Sequence, residues 1–195
     1  MKYITVAETA KLVRASLKEA FPAVKFSVRS NSYSGGASID VSYTDGPKTL
    51  GVERTARRFN GSYFDGMIDY KGSIHHELNG EPVSLGADFI FVHRSYSDAL
   101  IQEALDAVYA KFQGNFETEG TPKPTLEDYK QGRLWNVQLG GGCPLDLFQI
   151  EVNQWLRDSG DIVPLKSKTA DSLRVTGDDG YSNRHGSGMS YSEVA

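Results

Sequence analysis

Residues 23–46, AVKFSVRSNSYSGGASIDVSYTDG, constrain the fold more than any other stretch. Val24, Phe26 and Val28 alternate with Lys25, Ser27 and Arg29. Beyond a polar loop, Ala37, Ile39, Val41 and Tyr43 alternate with Ser38, Asp40 and Ser42. Successive side chains of a strand point to opposite faces, so this alternation predicts two half-buried strands. A register pairing Ser30 with Ala37 sets Val28 opposite Ile39 and Phe26 opposite Val41, all on one face. A slip of one residue would turn that face to water. The loop from Asn31 to Gly36 holds Ser, Gly and Asn, residues that accept a positive φ.

The flanking sequence supplies helices to cover the hairpin. Thr5-Val-Ala-Glu8 is a capping box, followed by an apolar stripe of Val6, Ala10, Val13, Leu17 and Ala20 that Phe21-Pro22 terminates. Asp45-Gly46-Pro47 opens a second helix with Val52, Ala56 and Phe59 inside and Lys48, Arg54, Arg57 and Arg58 outside. Next come a strand over Phe64 to Tyr70, a polar loop with His75 and His76, and the apolar run of residues 86–94. A run apolar on both faces predicts a central, fully covered strand. Ser95 to Asp98 cap a third helix with the stripe Ile101, Ala104, Leu105, Val108 and Phe112.

The two halves read as a weak repeat of strand, strand, turn and helix. They predict an α+β fold with one four-stranded, mainly antiparallel sheet built from two strand-strand-helix units. Phe26, Val28, Ile39, Val41, Phe89, Phe91 and Val108 are expected to share one core. The expected domains are an α+β core over 1–116, a helical extension over 117–176 packed on it, and a mobile polar tail over 177–195. The extension contains a stripe of Leu145, Phe148, Val152, Trp155 and Leu156 that opens at Pro144 and stops at Gly160.

The net charge of −4 conceals an asymmetry. Residues 1–60 hold ten Lys and Arg against five Asp and Glu, whereas residues 61–195 hold eleven against twenty. Such a split suits either a nucleic-acid surface or two mutually attracting halves. Cys143 is the single cysteine, which excludes an internal disulfide and points to a reducing compartment. The N-terminus lacks a signal pattern and no apolar run approaches the ~20 residues of a membrane span, so a cytoplasmic location without membrane contact is expected.

Three segments, FPAVKFSVRSNSYSGGASIDVSYTDGP, FNGSYFDGMIDY and GADFIFVHRSYS, closely resemble the large polyvalent protein-associated domain family numbered twenty-nine, over about Thr5 to Phe116. GRLW, DGYS and HGSG further on fit the same resemblance. It implies a protein of phages or conjugative plasmids, associated with conflict against host defences. It carries no catalytic motif to this chain.

The residues themselves offer little catalytic chemistry. Asp65 and Asp69, on one strand, would stand roughly 13 Å apart at ~3.3 Å per residue, beyond the ~9.5 Å limit of glycosidase pairs. His75, His76 and Glu77 point apart on an extended loop, and no partner sits at zinc spacing. His93 shares a strand face with Phe89 and Phe91 and reads as a half-buried structural histidine. Cys143, between three glycines and Pro144, has no histidine nearby to activate it. The three glycines lack the Lys and Ser/Thr of a phosphate loop. No cofactor and no metal are implied. Two binding candidates stand out. One is the hairpin with Arg29, Ser30, Tyr33, Ser34, Gly35 and Gly36, whose donors, aromatic ring and glycines suit a phosphate, a base or a partner loop. The other is the basic helix face of Lys48, Arg54, Arg57 and Arg58, which either tracks phosphates or neutralises the acidic half. The resemblance, with no catalytic constellation beside it, implies a non-enzymatic accessory protein of a mobile genetic element. It would act by binding a protein partner, a component of host defence. A nucleic-acid-binding domain using the basic half is the alternative.

Overall fold

A computed structural model describes residues 1–140 and 146–182. The chain is α+β and divides into two compact units, residues 1–94 with those from 162 onward, and Ser95–Asp161.

The first unit begins with β1 (Lys2–Ile4) and α1 (Val6–Ala20). The expected capping box is present: Glu8 N–H donates to Thr5 Oγ1 (3.3 Å) and Thr5 N–H donates to Glu8 Oε2 (2.9 Å). Ala10, Val13, Leu17 and Ala20 are buried, as their spacing requires. β2 (Ser27–Tyr33) and β3 (Gly36–Thr44) form the hairpin. Its register is Val28 to Val41, Ser30 to Ile39 and Ser32 to Ala37, two residues from the expected one. The turn is tighter than a six-residue loop, with Ser34 and Gly35 alone connecting the strands and Gly35 at φ 87°. An even shift preserves the face, so Val28, Ile39 and Val41 are buried together as expected. α2 (Thr49–Ala56) continues into a 3-10 turn, Arg57–Phe59, and buries Val52, Ala56 and Phe59 completely.

The remaining strands are β4 (Ser62–Asp65), β5 (Tyr70–Leu78), β6 (Glu81–Leu85), β7 (Phe89–Ser95) and, after the second unit, β8 (Leu173–Asp178). Two sheets result instead of one four-stranded sheet. One is three-stranded in the order β2-β3-β7. The other holds five strands, β1-β6-β5-β4 with β8 also on β5, and the β1–β6 pairing is parallel. The expected repeat is therefore not a structural unit, since β7 joins the hairpin and the helix after it belongs to the second unit.

Three strand expectations fail. β7 is an edge strand rather than a central one. Ile90 is buried, but Phe91 is 45% exposed and stacks on half-buried Phe89. The segment from Phe64 to Tyr70 is not one strand: Phe64 and Asp65 end β4, Tyr70 begins β5, and residues 66–69 turn between them, with Asp69 at φ 50°. His75 and His76 lie within β5 rather than in a loop, and His76 is buried between Val83 of β6 and Val175 of β8.

The second unit is helical: α3 (Asp98–Lys111), α4 (Gln113–Glu119), α5 (Leu126–Lys130), a 3-10 turn Arg133–Asn136, and α6 (Phe148–Asp158). Ile101, Ala104, Leu105 and Val108 of α3 pack with Phe116, Leu134, Phe148, Val152 and Leu156. Val108 thus belongs to this core and not to that of Val28 and Ile39. The short α7 (Lys168–Asp171) precedes β8 in the first unit. Pro144, Leu145 and Cys143 lie outside the described residues. Among the described residues, no helix is long and apolar enough to cross a membrane.

Candidate functional site

The β2–β3 hairpin is built asymmetrically. Every β3 residue from Ala37 to Ile39 is buried, whereas β2 buries Val28 alone of its seven residues. Arg29, Ser30, Tyr33, Ser34 and Gly35 are exposed and Gly36 is half-buried. The β3 side of the tip is fixed by Asp88. Its carboxylate accepts from Ala37 N–H (3.1 Å), Ser62 Oγ (2.9 Å) and Lys71 Nζ (3.1 Å), while its own N–H donates to the Ala37 carbonyl (2.8 Å). A Cβ at Gly36 would collide with this anchored carboxylate, which accounts for glycine there. Lys71 also donates to the Gly35 carbonyl (3.3 Å).

The β2 side has no such cover. The Arg14 guanidinium donates to the Val28 carbonyl (2.7 Å), which marks the outward edge of the strand. Ladder groups alternate in direction along an antiparallel pair, so Ser30 and Ser32 present their N–H and C=O outward as well. β2 is terminal in its sheet, and no strand covers that edge among the described residues.

The basic residues are not gathered into one free face. Lys48 is the N-cap of α2, Arg57 pairs with Glu53 (2.7 Å), and Arg58 stands 4.0 Å from Asp171. Arg54 is exposed. His93 Nε2 lies 3.4 Å from Asp40 on an exposed strand face rather than a half-buried one.

A second polar cluster escaped the sequence reading. Asp179 accepts from Tyr63 Oη (2.7 Å), Tyr70 Oη (2.9 Å) and Ser73 N–H (2.9 Å). Burial pushes this carboxyl up, but the donors outweigh it and hold it at about 2. Burial, together with the Asp179 bond, pushes the Tyr63 phenol up to about 12. Ser182 donates to buried Asp65, and Tyr181 packs on Tyr70 with ring centres 4.5 Å apart. Every group in the cluster is thus used in docking residues 179–182 onto β4 and β5. Beyond the polar Asp-Asp-Gly-Tyr tract beginning at Asp178, nothing local in the sequence marked this cluster.

Neither ring nitrogen of buried His76 meets a hydrogen-bond partner among the described residues. Burial lowers its pKa to about 4, against a weaker opposing effect of nearby Arg58 and Ile74 backbone, so the ring is neutral at pH 7. Among the described residues no three His, Cys, Asp or Glu side chains are placed to hold a metal. Asp65 and Asp69 do not share a strand, and Cys143 lies outside the described residues.

No curated protein matches this chain, and no solved structure does. The sequence model of one family does match, and it covers the segment from α1 to β7 with both candidate surfaces. That family is large polyvalent protein associated domain 29, whose model matches residues 4–97.

Proposed function

We propose that this chain is a non-enzymatic accessory protein of a phage or conjugative plasmid that acts by binding a protein, with a host defence component as the partner class. The family supports the association with polyvalent proteins of mobile elements. The observation that carries the binding mode is the bare edge of β2. An extended segment of a partner adds to such an edge through main-chain hydrogen bonds, with side chains supplying the selectivity. Exposed edges usually carry proline, a bulge or inward-pointing charge that prevents pairing, and β2 has none of these. Exposed Lys25 and Arg29 flank the edge and favour an acidic partner segment. A second copy of β2 would meet like charge with like.

The nucleic-acid reading is weaker, because Arg57 and Arg58 face carboxylates of their own chain. Proline substitution tests the edge directly. Ser30→Pro with Ser32→Pro removes only outward donors and leaves the ladder to β3 intact. The expected result is loss of a discrete host protein bound by the parent chain, whose binding slows hydrogen exchange in residues 27–33. Undiminished binding by the proline variant, or protection elsewhere, would refute the hairpin as the docking element. Binding that falls steeply with salt and follows nucleic acid would favour the alternative.

A further inference from the structure

Between α2 and the segment leading into α7 lies a cleft of about 350 Å³ with a cationic rim. Its floor is closed by buried small residues, among them Ala20, Ala170 and Ser167. Its rim carries Arg54, Arg58 and Lys166. We infer that this cleft is a binding site for a small organic phosphate, whose anionic group sits among the three rim cations while its body occupies the floor.

Hydroxyl chemistry on the floor explains this polarity. Ser167 Oγ lies 2.7 Å from Glu19 Oε2 and 3.1 Å from Ser16 Oγ, and accepts from the Ala170 N–H (2.9 Å). Thr55 donates to the Gly51 carbonyl (3.2 Å). These groups are engaged within the fold and have little left to offer an anion. The rim is the opposite. Among the described residues, neither Arg54 nor Lys166 has a carboxylate partner, and Arg58 stands a loose 4.0 Å from Asp171. Asp171 is itself largely exposed, so a phosphate entering the rim can displace it at little cost. Glu19, beneath the floor, has its oxygens taken up by Ser167 and Thr169. Three cations therefore face one loosely held carboxylate, and guanidinium groups suit the bidentate geometry of phosphate oxygens. The volume lies at the small end of ligand pockets, which run from about 300 to 1,000 Å³, and selects a mononucleotide-sized molecule over a larger one.

The probes are adenosine monophosphate, adenosine, inorganic phosphate, and a trinucleotide with or without a 5′-phosphate, titrated calorimetrically at low salt. Adenosine monophosphate is expected to saturate one site, inorganic phosphate to compete weakly, and adenosine not to bind. Lys166→Gln and Arg54→Gln should each weaken the nucleotide at least about tenfold, one decade being 1.4 kcal/mol. Arg29→Gln, on the hairpin, should leave it unchanged. Preference for the phosphorylated trinucleotide over the mononucleotide would identify a strand terminus as the source of the phosphate, and equal or weaker binding a free nucleotide. Trinucleotide binding that ignores the terminal phosphate would overturn the site, as would nucleotide affinity unchanged in both variants or the absence of saturable binding. Lys166 is exposed, so its variant tests recognition without disturbing the core.

Discussion

β2 and β5 belong to the same unit and to neighbouring hairpins, yet they occupy opposite extremes. β5 pairs with β4 along its first residues and with β6 and β8 along its last, and Gly72, Ile74 and His76 are buried in strict alternation. Among the described residues β2 pairs with β3 alone, and it is exposed on both faces beyond Val28. A strand paired on both sides has its main-chain groups committed. A strand paired on one side keeps half of them for a partner. The contrast teaches that the uncommitted main-chain groups of this hairpin lie where its sheet is left unfinished.

The largest predicted effect separates the two strands of the first hairpin. Ile39 and Ser30 face each other in register, but Ile39 is fully buried and Ser30 is not. Ile39→Ala should cost about 2–5 kcal/mol, and Ser30→Ala less than about 0.5 kcal/mol. Denaturant midpoints check both. Comparable shifts would mean that β2 is covered in solution and would end the contrast.

Next in size is an acid sensitivity placed in β5. A neutral, buried His76 with a pKa near 4 takes up its proton only below the 6.5 at which the unfolded chain does so. The unfolded state therefore binds more protons between those values, and stability falls as pH drops from about 6.5 towards 4, by roughly 3 kcal/mol in all. His76→Leu should flatten this portion of the stability–pH profile. Carboxylates held low by hydrogen bonds, Asp179 and Glu19 among them, act in a separate window, losing their contribution as pH falls below about 4. A profile unchanged by the leucine would show that His76 is solvated.

A smaller effect is expected where the chain returns to β4 and β5. Asp179→Ala removes the acceptor of Tyr63, Tyr70 and Ser73 and should cost about 1 kcal/mol, reduced from the usual value of charged hydrogen bonds because the site is partly wet. The Tyr63 phenol should then titrate below its present value of about 12. A spectrophotometric titration that leaves Tyr63 unmoved would show that burial alone sets it.

The same contrast explains what was legible in the sequence. α1, α2 and the buried face of the hairpin follow from periodicity within a dozen or two residues, and Val13, Leu17, Ile39, Val52 and Phe59 were identifiable from spacing alone. β5 was not, because Gly-Ser-Ile-His-His reads as a loop until β6 and β8 flank it. β8 lies about a hundred residues away in sequence. Phe91 reads as core because an apolar run does not reveal whether both faces will be covered. Of the candidate site, the exposed residues and the turn glycines were legible. Asp88 and Asp179 were not, since an acid that anchors main chain has the same local appearance as one that faces water.

The smallest predicted effect is also the sharpest comparison. Proline removes a donor and fixes φ, and its cost in a sheet depends on whether that donor was paired. At Ser32 the N–H points away from β3, so Ser32→Pro should change stability by less than about 1 kcal/mol, mostly through the adjustment of φ. Glu77 in β5 is flanked by Pro82 of β6 on one side and Arg174 of β8 on the other. Loss of its N–H leaves a ladder acceptor unsatisfied whichever way the group points, so Glu77→Pro should cost at least about 2 kcal/mol. Thermal or denaturant unfolding of the two variants measures the difference. Equal destabilisation would mean that the outer edge of β2 is already paired in solution, either with another segment of the chain or with a second copy. A concentration series would separate those two outcomes, because only pairing between copies makes the midpoint rise with protein concentration.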